Sequence, residues 1–240
     1  MSEGERIAQA FVAARREAQA LTQYPGRIPA TLAEAYAIQD HAIALRRGAV
    51  GGWKVGRIQP PLDTRFGTNR LAGPIFADRI VPARAGLAMP VFESGFGAAE
   101  AEFLLRIGTA PDPAKRAYTN HEAAALIDAI HVGIEVAGSP FAAINDLGPM
   151  VTISDFGNNN GLVVGPAIAN WREVDINAWP VELRIDGEVI GEGTAAGMLD
   201  GPFGAARFLF ELMAERGIAL RSGQWISTGA VTGVHLVAAG

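Results

Sequence analysis

The sequence predicts an α/β (α+β) fold, with an N-terminal helical region over residues 1–50 leading into a β-rich body over residues 51–240. Three observations carry this expectation. Apolar residues recur at helical spacing in the first fifty positions. After Gly48, short apolar runs bounded by glycine and proline take over. Asp186-Gly187 then separates two short β-type runs, which is a strong signal for a tight hairpin.

Residues 5–21 are alanine-rich, and Ile7, Ala10, Phe11 and Ala14 fall on one helical face. Gln23-Tyr24-Pro25-Gly26-Arg27-Ile28-Pro29 breaks that helix with two prolines and a glycine. Thr31-Leu32-Ala33-Glu34 reads as a capping box opening a second helix to Arg47, whose apolar stripe is Ala35, Ile38, Ala42 and Leu45. Arg46 and Arg47 complement the dipole in its last turn, and Gly48 ends it. Strands are expected over residues 52–56, 73–80, 100–107, 130–137, 162–164, 181–185 and 188–190. Thr119-Asn120-His121-Glu122 caps a helix expected to reach about Ile130, and residues 204–216 form the last helix. No internal repeat, low-complexity tract or linker interrupts these elements.

The chain has 240 residues, 49% of them hydrophobic and 19% charged, which fits a compact globular body rather than a disordered one. A net charge of −5 and scattered basic residues give no nucleic-acid footprint. The absence of cysteine excludes disulfides and thiolate chemistry and fits a cytoplasmic location. Met1-Ser2-Glu3-Gly4-Glu5-Arg6 lacks a secretory pattern, and no stretch approaches the roughly 18 apolar residues of a membrane span.

The chemistry concentrates in acidic residues set among apolar ones. Glu100 and Glu102, in Ala98-Ala99-Glu100-Ala101-Glu102-Phe103-Leu104-Leu105, share one face of a strand because side chains alternate with period two. Like charges so close are tolerated when a cation joins them or when one keeps its proton. Two ordinary surface glutamates are the alternative. Glu135, in Ile134-Glu135-Val136-Ala137-Gly138, is a third carboxylate in similar surroundings. An all-oxygen set without cysteine suits Mg²⁺ or Mn²⁺ and disfavours zinc.

Other candidates are open to two readings each. Lys54, between glycines and beside Trp53, is either a surface lysine or a partly buried amine with a lowered pKa, able to shuttle protons. Asp78 either pairs with Arg79 and ends a strand, or orients Lys54 or acts as a base. Asn158-Asn159-Asn160 is turn chemistry or a set of amide donors for a carboxylate. Ser227-Thr228-Gly229-Ala230-Val231-Thr232-Gly233 is an ordinary turn or an anion nest. The four histidines show no metal-ligand spacing, and no nucleophile elbow or phosphate-binding glycine pattern occurs.

Six pieces in order resemble the 2-keto-4-pentenoate hydratase and 4-oxalocrotonate decarboxylase family of the fumarylacetoacetate hydrolase superfamily. They are Gly52-Trp53-Lys54-Val55-Gly56, Gly73-Pro74-Ile75-Phe76-Ala77-Asp78, Ala99-Glu100-Ala101-Glu102, Ile134-Glu135-Val136-Ala137-Gly138-Ser139, the stretch from Asp155 to Gly161, and Ser227-Thr228-Gly229-Ala230. The resemblance implies a mixed β-sheet roll with flanking helices, and Mg²⁺ or Mn²⁺ held by Glu100, Glu102 and Glu135. It implies Lys54 and Asp78 as catalytic residues. Arg57, Ser139, Asn158, Asn159, Asn160 and Thr228 are expected to contact substrate. Three features depart from the family pattern: the Phe156-Gly157-Asn158-Asn159-Asn160 run, Arg57 where relatives tend to have an apolar residue, and an end at Gly240 where relatives continue through another strand pair.

The activity implied is a metal-dependent hydratase that adds water to a 2-hydroxypenta-2,4-dienoate-type substrate, giving a 4-hydroxy-2-oxo acid in aromatic catabolism. Alternatives are decarboxylation of a 2-oxo-dioic acid and a non-catalytic subunit of the same fold. The implied partners are the small acid substrate and further subunits, in a homo-oligomer or with a homologous hydratase or decarboxylase chain. No nucleic-acid or membrane partner is expected.

Overall fold

The structure is a computed structural model that describes residues 1–239; Gly240 and the expectation attached to it lie outside the described residues. Helix α1 (Glu3–Glu17) starts at a complete capping box between Ser2 and Glu5, two residues earlier than the apolar periodicity alone indicates. In α2 (Leu32–Arg46) half of the expected box forms. Thr31 Oγ1 accepts from the Glu34 amide (3.2 Å), but the Glu34 carboxylate accepts from Ala30 N (2.8 Å), one residue before the cap. The two helices lie against each other and lead into the strands.

Strands β1 (Val50–Arg57) and β2 (Arg70–Phe76) form an antiparallel pair around the short helix α3 (Leu62–Phe66). After β3 (Ile80–Pro82) come two long partners, β4 (Phe96–Ile107) and β5 (Ile127–Ser139), with α4 (Asn120–Ala125) between them. The helix expected to reach Ile130 ends at Ala125 instead. The reason is long-range pairing: Ile127 and Ile130 lie opposite Ile107 and Leu105 of β4, and β-branched side chains favour that surface over a helix. The chain continues through α5 (Pro149–Ser154), β6 (Asn159–Ala167) and the hairpin β7 (Pro180–Ile185) and β8 (Glu188–Thr194). The hairpin turn has φ of 52° at Asp186 and 85° at Gly187, the left-handed pair expected of a two-residue loop. Helix α6 (Gly201–Glu215), β9 (Trp225–Ser227) and β10 (His235–Leu236) complete the described elements.

The main sheet is mixed and curled, ordered β2-β1-β9-β4-β5-β6-β3, with β10 also pairing with β4. Only β1–β9 and β3–β6 are parallel. Alternation along the strands decides what each face carries. Trp53 and Val55 of β1, and Phe103, Leu105 and Ile107 of β4, join Leu209, Phe210 and Met213 of α6 in the largest core. Lys54, Glu100 and Glu102 therefore point to the opposite face, inside the curl. A second core of Ile7, Phe11, Tyr24, Phe76, Phe141 and Phe156 fastens α1 to the body. Among the described residues no helix is long and apolar enough to cross a membrane.

Candidate metal and substrate site

Glu100 and Glu135 are direct register partners across β4 and β5, and Glu102 lies two residues along from Glu100 on the same face. Carboxylate oxygens of the three lie within 4.8 Å of one another, and all three side chains are buried. Lys54 Nζ is 3.3 Å from Glu135 Oε2 and donates to Asn158 Oδ1 at 3.1 Å. Asn159 Nδ2 donates to Glu135 Oε1 at 2.8 Å. The Ser227 hydroxyl donates to Glu102 and lies 3.5 Å from Glu135. Glu102 Oε1 is buried without a hydrogen-bond partner, the state expected of an oxygen whose natural partner is a cation. Three convergent carboxylates with one orphaned oxygen and no sulfur or imidazole donor fit a hard divalent ion.

The electrostatics follow from that crowding. Burial, then repulsion from Glu135, pushes Glu100 up to about 7, with Lys54 opposing. Burial, then Glu135 and Glu100, lifts Glu102 well above the usual carboxylate range. For Lys54, burial alone would lower the pKa, but attraction to Glu135, Glu100 and Glu102 outweighs it and the pKa is raised. Of the two sequence readings of this lysine, the buried one applies, and its pKa moves up rather than down because the pocket is anionic rather than apolar.

Backbone geometry delivers these groups. Lys54 pairs with Gly73 of β2 and with Ser227 of β9. A Cβ on Gly73 would lie 2.1 Å from the Phe156 carbonyl oxygen, so only glycine lets the 156–158 turn approach Lys54. That turn has three successive left-handed residues, with φ of 55° at Phe156, 63° at Gly157 and 57° at Asn158. Two of them are not glycine, and such backbone persists only where its surroundings enforce it.

A cleft of about 630 Å³ opens from Lys54 and Glu100, and its walls include Arg57, Arg70, Asn145, Asn158, Met198 and Thr228. Of the substrate contacts expected from the sequence, Arg57, Asn158 and Thr228 line it. Thr228 also donates to the Phe103 carbonyl at 2.8 Å. Asn159 acts on Glu135 instead. Ser139 is placed elsewhere: it is fully buried, donates to Asp155 Oδ2 (2.7 Å) and accepts from Phe141 N (3.0 Å), which uses up its hydroxyl. Asn160 donates to the Pro90 carbonyl at 2.6 Å, at the side of β6 away from the cleft walls.

Asp78 lies apart from this cluster. It sits on a single 3₁₀ turn after β2, mostly exposed, with a two-oxygen ion pair to Arg46 at 2.8 and 2.5 Å. Lys54 pairs with Gly73, five residues before Asp78, so the aspartate belongs to the far end of the β1–β2 pair. The side-chain oxygen of the 156–158 turn that Lys54 reaches is that of Asn158, at 3.1 Å.

Sequence reasoning missed three residues. Ser227 was read only as part of a small-residue loop, although it sits on β9 between Lys54 and Leu104. Asn145, which accepts from Asn158 Nδ2 at 3.0 Å, carries no local signal. Arg70 is buried, within 4.0 Å of Asp200, and bonded to the Leu199 carbonyl. It lies directly opposite Arg57 across β1 and β2, and burial, with Asp200 opposing and Arg207 and Arg57 repelling, lowers its pKa.

Comparison with known proteins finds relatives of two named activities. The chain is 29% identical over 246 residues to 2-keto-4-pentenoate hydratase of Burkholderia vietnamiensis, covering 96% of this chain and 89% of that one. The chain resembles the hydratase and decarboxylase family over nearly its whole length. It is 30% identical over 117 residues to 4-oxalocrotonate decarboxylase of Pseudomonas putida, a match spanning 48% of this chain and 44% of that protein. The solved structure of 4-oxalocrotonate decarboxylase from Pseudomonas putida G7, complexed with magnesium and adipate, superposes with a TM-score of 0.81 at 22% identity. That likeness covers 99% of this chain and 90% of the other, and it shows the shared fold. No protein-family model matches the chain. The family resemblance read from the six motifs and the mixed-sheet fold it implied are both borne out.

Proposed function

We propose that this chain is a divalent-metal-dependent lyase acting on a short 2-oxo acid or its enol, most directly a hydratase of 2-hydroxypenta-2,4-dienoate-type substrates. One observation carries the reading: three buried carboxylates with an orphaned oxygen stand beside a buried lysine at the inner end of an open cleft. Glu100, Glu102 and Glu135 would hold Mg²⁺ or Mn²⁺. When bound, such an ion supplies Lewis acidity at the substrate's 1-carboxylate and 2-oxygen, worth several kcal/mol of stabilisation as enolate charge develops.

The chain's own groups do the rest. Asn159 and Ser227 fix the rotamers of Glu135 and Glu102. Lys54 has three donors, of which Glu135 and Asn158 take two, leaving one N–H for the cleft that Lys54 lines. Its ammonium is suited to deliver a proton to C5 of the dienol while the 2-hydroxyl proton passes to water in the cleft, from which Lys54 is reprotonated, giving the conjugated enone. Water then adds, oxygen to C4 and hydrogen to C3, and the product is a 4-hydroxy-2-oxo acid. The test is loss of dienol absorbance from freshly generated 2-hydroxypenta-2,4-dienoate with Mg²⁺, Mn²⁺ or EDTA, with products identified by mass. Metal-dependent hydration is expected.

A second reading uses the same site for decarboxylation of a 2-oxo-dioic acid. It is favoured by Arg57 and Arg70, like charges placed opposite each other on a rung that lines the cleft. Such a pair gains from an anion between the guanidinium groups. Release of CO₂ from 2-oxohex-3-enedioate, with no turnover of the dienoate, would select this reading. Failure of both substrates with metal bound would overturn both and leave a non-catalytic subunit.

A further inference from the structure

Arg15 lies on α1, outside every motif that marks the site, and yet its guanidinium ends beside the turn that builds it. Nε donates to Asp155 Oδ1 (2.5 Å) and Nη2 to Asp155 Oδ2 (2.9 Å), a bidentate pair with a fully buried carboxylate. Nη2 also reaches the Asp155 carbonyl (3.3 Å) and the Gly138 carbonyl (2.8 Å), and Nη1 reaches the Asn159 carbonyl (3.0 Å). The guanidinium lies 5.1 Å from the Phe156 ring centroid, and Ser139 supports Asp155 from the other side.

These contacts fall on a pattern. Asp155 and Asn159 are the residues immediately before and after the left-handed run 156–158. One guanidinium thus grips both ends of a three-residue turn whose backbone is unfavourable on its own. Asn158, inside the turn, holds Lys54, and Asn159, at its exit, holds Glu135. Gly138, the third carbonyl gripped, lies three residues along β5 from Glu135.

We infer that Arg15 is a positioning residue of the site: by bracketing residues 156–158 it sets the two asparagine amides that aim Lys54 and Glu135. The inference rests on the metal-site reading for its consequence, though not for its geometry. Arg15→Lys keeps the charge but loses the planar fork that reaches Asp155 and the three carbonyls together.

The experiment has two arms. Hydrogen exchange of the metal-free protein, read by peptide mass, should show faster exchange in Arg15→Lys confined to peptides covering residues 155–161, with α2 and α6 unchanged. Unchanged exchange at the turn, or a rise spread evenly over the chain, would overturn the inference. Titration of free Mn²⁺ by its paramagnetic resonance signal should show affinity weakened about tenfold, the scale typical of losing a ligand's supporting hydrogen bonds. A locally loosened turn with full Mn²⁺ affinity would also overturn it. If the unaltered protein takes up no Mn²⁺, the metal reading falls while the exchange arm still decides the clamp. Should Arg15→Lys not fold, Arg15→Gln combined with Asp155→Asn removes the pair without leaving a lone buried charge, and the same two readouts apply.

Discussion

Glu100 and Glu135 are paired across β4 and β5 with no opposite charge between them, at a position where neighbouring strands ordinarily set complementary groups. Lys54 answers one of the three acids directly, at 3.3 Å from Glu135, and burial with mutual repulsion raises the pKa of the other two.

The first prediction concerns pH and metal. Folded Glu100 keeps its proton to about 7, against 4.5 for an ordinary glutamate, so the metal-free fold binds more protons than the unfolded chain between those values. Stability of the metal-free protein therefore falls as pH rises across that window. A divalent ion displaces those protons, so its stabilising effect grows in the same direction. Melting curves with Mg²⁺ or EDTA should show a small metal-induced shift near about pH 5.5 and a large one near about pH 8. An equal shift at both would contradict the assignment.

Glu102→Gln keeps the volume and removes one of the crowded ionisable groups. Above pH 7 the metal-free variant should be more stable than the unaltered protein by on the order of 1 kcal/mol, since a single pKa unit is worth about that much. Mn²⁺ binding should weaken sharply. Calorimetric melting with and without Mn²⁺ checks both halves, and a destabilised metal-free variant would count against repulsion in the cluster.

Lys54→Met should lower kcat by roughly 10²–10⁴, the usual worth of a placed proton donor, while Mn²⁺ affinity survives. Full turnover in this variant would remove Lys54 from the reaction.

Gly73→Ala places a methyl group 2.1 Å from the Phe156 carbonyl oxygen. The turn must retreat, at a cost of about 1–3 kcal/mol or more, and Asn158 retreats from Lys54 with it. Thermal unfolding should show the loss, and activity should fall further than stability alone accounts for.

Ser139→Ala separates a structural hydroxyl from a substrate contact. The expected result is a loss of about 1–3 kcal/mol, from leaving the Phe141 amide and part of Asp155 unanswered. KM should not change. A KM raised tenfold with unaltered stability would return Ser139 to the cleft.

Local patterns made much of this legible in the sequence. The i, i+2 spacing of Glu100 and Glu102 placed both on one face, and the Asp186-Gly187 signal placed the hairpin, because period and turn chemistry act over a few residues. The helix after Thr119 was read too long because its stop, at Leu126, is imposed by pairing with β4 rather than by a glycine or proline. Chain order could not say that Asp78 lies at the end of the β1–β2 pair away from Lys54, because which end of a strand pair meets the cleft is set by long-range pairing. Arg15 and Asn145 reach the site from α1 and from the loop before α5, and nothing near them in sequence announces it, whereas Ser227 lies in a flagged small-residue loop that did not reveal its place on β9.

Strand β9 enters the sheet between β1 and β4, some of the earliest strands to be made, and it brings Ser227 with it. Before it arrives, β1 and β4 each present an open edge, and Lys54 on β1 has nothing to hold it in register with the acids of β4 and β5. Closing that gap joins positions about as far apart as the chain allows, which is the kind of contact that forms late and slowly. A ribosome-bound chain that has emerged only through α6 would thus carry the three glutamates on paired strands, with Lys54 on a strand not yet joined to them. The seating of Lys54 against the acids, with the Ser227 bond to Glu102, should appear abruptly, in step with insertion of this single three-residue strand.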